Sequence, residues 1–267
     1  MAIYARLLIL LTGLLWLPLP TAADEKNGCL ACHQQHYVDM GSCVDCHRGE
    51  PGTQRISIAH YRFIPARFAA FTLPESMIVI EGQKLLQETA CRRCHVIGDK
   101  GNTAATNLDR SFHDLSATEL YAAIREPAFF MPDFRFTEEQ LSKLVNTLQA
   151  EGNKLPPPNE EIPLKIHFED LEQDQESVFE KHCGGCHRVM TQIRGGLGRG
   201  NVAPNLSGLL SEFYPKNYPD QQEKAWTPKG LEAWLKNPRK LKGNTNMPPA
   251  KLKKEEMQKL IEILTDK

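Results

Sequence analysis

All eight cysteines of the 267-residue chain fall into four copies of one pentapeptide. These are Cys29-Leu-Ala-Cys32-His33, Cys43-Val-Asp-Cys46-His47, Cys91-Arg-Arg-Cys94-His95 and Cys183-Gly-Gly-Cys186-His187. Two thiols three residues apart reach both vinyl groups of one porphyrin as thioethers, and the residue that follows projects under the iron; it is histidine all four times. Paired units such as Cys29/Cys32 with Cys43/Cys46 would also suit a tetrahedral zinc thiolate site, and eight cysteines in an exported chain a disulfide framework. Neither needs a histidine directly after each pair, so the pattern reads as four haem c groups. Cys29, Cys32, Cys43, Cys46, Cys91, Cys94, Cys183 and Cys186 are the covalent attachment points, and His33, His47, His95 and His187 the proximal iron ligands.

The N-terminus supplies the compartment. One positive charge at Arg6, an apolar run from Leu7 to Leu19 and the small residues Thr21-Ala22-Ala23 form a secretory signal peptide, expected to be cleaved after Ala23. The run is shorter than a spanning helix needs and contains Pro18 and Pro20. A periplasmic location is therefore expected, with membrane association only through partners or an uncleaved signal. A formal net charge of −1 and the lack of any basic tract exclude a nucleic-acid footprint.

The motifs are unevenly spread, and proline-rich stretches lie between them. The expected organisation is a signal peptide at 1–23, a dihaem module at 24–64, a linker at 65–74, a third-haem domain at 75–150, a Pro-rich linker at 151–171 and a fourth-haem domain at 172–267. The linkers are read as long enough for the modules to shift during docking. The first module is poor in aliphatic residues and broken by Gly41, Gly49, Pro51 and Gly52, so its core would have to come from its two macrocycles. The second opens a helix with the capping box Ser116-Ala-Thr-Glu119 and ends in a helix with Leu141, Leu144, Val145 and Leu148 on one face. The third repeats this order, with Thr227-Pro228 starting a helix and Met257, Leu260, Ile261 and Leu264 as the apolar face of the last.

That repeated order, together with Met131-Pro132 and Met247-Pro248-Pro249, resembles the class I cytochrome c fold twice over. The resemblance implies a mainly α chain, with two cytochrome c-like α-helical domains in tandem after an N-terminal, loop-rich dihaem module. It implies Met131 and Met247 as distal ligands of the third and fourth irons. Ala203-Pro204-Asn205-Leu206 matches the family loop in which a proline carbonyl accepts the proximal histidine's N–H; the second module has Ala105-Thr106-Asn107-Leu108 there, without the proline. The first module resembles the bis-histidine cores of multihaem cytochromes, which points to His36 and His60 as its distal ligands. His36 is assigned to the haem of Cys43/Cys46 and His60 to that of Cys29/Cys32, the reverse pairing being the alternative and Met40 the substitute.

His113, His167 and His182 are read as structural or solvent-facing, Lys251 to Lys259 as the solvated side of a helix rather than a docking face, and Trp226 and Trp234 as packing against porphyrin. Six-coordinate irons leave no substrate position, so an electron carrier is expected rather than an enzyme. Its partners would be redox proteins: a membrane quinol-linked donor, and a reductase or an outer-membrane cytochrome. The rival reading is a dihaem-peroxidase-like or oxyanion-reducing haem enzyme with one open site.

Overall fold

From Gly28 to Phe63 the chain makes short turns and buries no side chain fully. Two 3-10 turns, Gly28–Ala31 and Val38–Met40, precede α1 (Cys43–His47) and α2 (Ile56–Ala59). Ser42 opens α1, its backbone N–H donating to Asp45 Oδ2 at 2.6 Å, and this bond holds the Asp45 carboxyl below its ordinary range. The structure is a computed structural model, and it describes residues 28–128, 130–156, 177–219, 221 and 224–266. The expected signal peptide, the Pro-rich linker beyond 156 and His167 lie outside the described residues.

Ile64 begins the second unit, and the expected linker at 65–74 is not a tether. It coils into two 3-10 turns, Ala66–Phe68 and Ala70–Thr72, and Phe68 is 0% exposed. The cause lies 75 to 81 residues downstream, on a helix whose buried face carries polar side chains. Asn146 donates to the Arg67 carbonyl at 2.9 Å and accepts from Phe71 N–H at 3.0 Å, while Gln149 donates to the Phe68 carbonyl at 2.8 Å. Prolines were legible as breaks, whereas these long-range clamps were not.

That helix is α6 (Glu138–Gly152), which packs across α3 (Met77–Glu88), with α4 (Ser111–Asp114) and α5 (Ala117–Arg125) beside it. Leu141, Leu144, Val145 and Leu148 are buried as the sequence periodicity expects. Ser116 caps α5, accepting from Glu119 N–H at 3.2 Å while Glu119 accepts from Ser116 N–H at 2.7 Å. Gly82 of α3 lies where a Cβ would strike Thr147 Oγ1 and the Lys143 carbonyl, so the two helices meet backbone to backbone.

The third unit repeats this order with an insertion. α7 (Val178–His182) leads into the fourth motif; an antiparallel hairpin of β1 (Val189–Thr191) and β2 (Gly195–Leu197) follows, pairing Val189 with Leu197 and Thr191 with Gly195. The hairpin was not expected from the sequence. Then come α8 (Pro228–Lys236), α9 (Pro238–Leu241) and α10 (Lys254–Thr265). Thr227 caps α8, accepting from Gly230 N–H at 3.0 Å. On α10, Leu260, Ile263 and Leu264 are buried and Met257 packs at the edge, while Ile261 is half-buried. The inward face is thus turned toward Ile263 relative to the expected one. Among the described residues no helix is long and apolar enough to cross a membrane.

Candidate haem sites

In the N-terminal unit the histidines face one another in two pairs. His33 and His60 have ring centres 6.0 Å apart, and His36 and His47 have theirs 5.8 Å apart. Two metal–imidazole bonds of about 2 Å each plus two ring radii come to about 6 Å, so each pair spans the width that one iron with two imidazole ligands requires. His47 Nδ1 lies 2.9 Å from the Ile64 carbonyl; a carbonyl only accepts, so Nδ1 carries the hydrogen and Nε2 is left as the donor toward a metal. Phe63 sits between the pairs, stacked on His47 with centres 5.7 Å apart and 5.1 Å from His60. His33, His36 and His60 are exposed. The donor set and spacing fit two flat cofactors, which would also supply the missing core.

The third unit holds a cavity of about 440 Å³ walled largely by apolar side chains. Cys183, Cys186 and His187 line one part of it and Met247 another, with Trp226 and Trp234 among the walls. His187 Nδ1 donates to the Pro204 carbonyl at 2.7 Å, again leaving Nε2 as the free donor. Trp234 Nε1 donates to Met247 Sδ at 3.0 Å. Two thiols, an oriented imidazole and a thioether around one greasy cavity match what a covalently held haem needs. Burial pushes the Cys183 thiol up to about 11, with Cys186 adding to the shift, and raises those of Cys91 and Cys94. Among the described residues no group of three His, Cys, Asp or Glu side chains could hold a metal ion, and none of the eight cysteines is in a disulfide.

In the second unit His95 Nδ1 donates to the Thr106 carbonyl at 2.7 Å, so the contact stands although proline is missing there. Burial lowers the His95 pKa, and this bond opposes the shift. Met131 has a different setting. It lines a polar cavity of about 470 Å³ between the second and third units, walled by Pro127, Arg135, Arg188 and Asn205 among others, and His95 does not line that cavity. The remaining described histidines have protein partners: His113 Nε2 faces the Leu155 carbonyl at 3.3 Å and His182 Nε2 faces Glu256 Oε1 at 3.1 Å. Lys251, Lys253, Lys254 and Lys259 are exposed.

Sequence reasoning missed the Ile64 carbonyl, since any residue supplies one, and Phe63, for which aromaticity near His60 was the sole signal; it placed Thr106 in the matching loop but without the proline that marks the contact. Residues 175–265 match the family model described as Cytochrome c, and residues 79–146 match that described as Cytochrome C oxidase, cbb3-type, subunit III. No curated protein and no solved structure matches the chain. The chain thus carries two cytochrome c-type domains in a mainly α fold, and these imply covalently bound haem c and electron transfer.

Proposed function

We propose that the chain is a periplasmic tetrahaem c-type cytochrome that relays electrons between a membrane-bound donor and a terminal reductase or extracellular acceptor, free or as a subunit of a respiratory complex. The observation that carries this reading is the opposition of donors, with His33 across from His60, His36 across from His47 and Met247 in one cavity with His187. An iron held from both sides offers no position to a substrate. The family matched by residues 79–146, described as an oxidase subunit, favours the respiratory-complex form.

Haem c, once attached, supplies a reversible one-electron iron couple. The chain's residues set where that couple lies. Histidine opposite histidine gives a lower potential than methionine opposite histidine, so the N-terminal pairs form a low tier and the site of Met247 a high one, joined by the third site where Met131 closes it. The Ile64, Thr106 and Pro204 carbonyls fix three proximal rings in the tautomer that presents Nε2.

A second reading has one observation in its favour. Met131 stands with Arg135 and Arg188 on a cavity that His95 does not line, which suits a haem enzyme whose third site is open. Low-temperature EPR of the oxidised protein, with added cyanide and peroxide, separates the two. Four low-spin irons unmoved by either ligand support the relay, whereas a high-spin iron that binds peroxide favours the enzyme. A pyridine haemochrome count below four haems per chain would sink the tetrahaem reading.

A further inference from the structure

The loop that fixes His187 also reaches into the second unit, and Asn205 makes several of the contacts. Asn205 follows Pro204, whose carbonyl holds His187. The Asn205 carbonyl accepts from Arg93 Nη1 at 3.2 Å and from Tyr214 OH at 3.3 Å. Its side-chain oxygen accepts from Ser207 N–H at 2.9 Å, closing the local turn, and its Nδ2 donates to the Phe130 carbonyl at 3.0 Å. Arg93 lies inside the third haem motif, and Phe130 precedes Met131.

Two further contacts make the same crossing. Gly208 backs so closely onto the Arg93 carbonyl that a Cβ there would strike it. The Phe130 ring covers Gly196 so closely that a Cβ there would strike it. The repeat supplies an internal contrast: Asn107, at the matching place in the second unit, closes the same turn by accepting from Asp109 N–H at 2.9 Å. Among the described residues it makes no bond to the third unit. Local turn closure therefore explains the side-chain oxygen of Asn205 but not its amide donor.

We propose that Asn205 is a positioning residue that couples the third and fourth haem sites, tying the proximal motif and the Met131 loop of one unit to the loop that orients His187 of the other. This rests on the haem reading above. An asparagine is needed because one side chain must accept within its turn and donate across the junction. The residue belongs to the fourth site by sequence, yet it restrains the third.

The test is spectroelectrochemical titration of the haem-loaded full chain carrying Asn205→Ser, beside Asn107→Ser. Serine keeps an oxygen for the turn, adds no charge and is too short to reach Phe130. Asn205→Ser should change the oxidised-to-reduced ratio of the third haem at fixed potential by about fivefold, the scale of one hydrogen bond, or about 40 mV at 59 mV per decade. Asn107→Ser should leave the fourth haem unmoved. Gly196→Ala attacks the junction without touching Asn205 and should also shift the third haem. If the third haem stays fixed in both Asn205→Ser and Gly196→Ala, the coupling is overturned. A haem count below four would instead remove the tetrahaem reading, so the two failures are told apart.

Discussion

Glu256 gathers three donors on one carboxylate: Oε1 accepts from Lys181 at 3.0 Å and faces His182 Nε2 at 3.1 Å, and Oε2 accepts from Lys253 N–H at 2.9 Å. These bonds, the Lys253 N–H first, bring its pKa from 4.5 to about 2. A depressed carboxylate contributes stability above its unfolded pKa and loses it as pH falls through the folded one. Glu256→Gln should therefore lower the thermal midpoint at pH 7, with the deficit shrinking below pH 4.5 and gone near pH 2. A deficit that is constant with pH would show that the carboxylate is not the cause. Methionine ligation has its own check. If Met247 binds the fourth iron, Met247→His should lower that haem's potential by on the order of 0.1 V, a fraction of the roughly 0.8 V that axial ligands command. Unchanged titration curves would remove Met247 from the iron. The four Cys-x-x-Cys-His motifs were legible because thioether attachment demands fixed spacing. The Nδ1 acceptors of the histidines in these motifs were only half legible: Pro204 could be read from the family loop and Thr106 placed in the matching loop without its proline, whereas Ile64 acts through backbone that no side chain announces.

At the scale of elements, the crossing of α3 and α6 depends on what Gly82 lacks. Alanine favours a helix over glycine by about 1 kcal/mol. Here its methyl would drive into Thr147 and the Lys143 carbonyl, and overpacking of this kind costs about 1–3 kcal/mol. The backbone carbonyl cannot swing aside, so the upper end applies and Gly82→Ala should destabilise the second unit by about 2 kcal/mol net. Denaturant unfolding followed at the third haem would measure it; a stabilised variant would mean that the helices separate without cost. The helices themselves were legible, from the Leu141–Leu148 stripe and the caps at Ser116 and Thr227. The 3-10 turns at 66–72 and the hairpin at 189–197 were not. The turns are held by Asn146 and Gln149 from far along the chain. The hairpin is three residues per strand and carries two glycines, Gly195 and Gly196, too short for a pattern of alternation to register.

Across the whole molecule, core is distributed unequally, and this orders what must happen before the chain works. The second and third units each enclose an apolar cluster of their own, around Leu86 and Val145 in one and Phe179 and Leu260 in the other. Residues 28–63 enclose none. They are fixed to the second unit by the Ile64 N–H, which donates to the His47 carbonyl at 2.7 Å, and by Arg48, whose guanidinium donates to the Phe112 carbonyl at 2.8 Å and lies 3.9 Å from the Phe112 ring centre. Arg62 reaches the adjacent His113 carbonyl. Such contacts contribute about 1 kcal/mol each, too little to order some 35 residues at roughly 1–2 kcal/mol of backbone entropy per residue. On the tetrahaem reading proposed above, the deficit is met by the cofactors that the paired histidines are spaced to hold. Brief trypsin digestion of the chain made without haem attachment should therefore cut first at Arg48, Arg55 or Arg62 and leave the helical units longer-lived. The haem-loaded chain should resist at those arginines. Equal cleavage there in both forms would mean that the N-terminal unit draws its order from the protein alone, and that the imidazole pairs are not what hold it together.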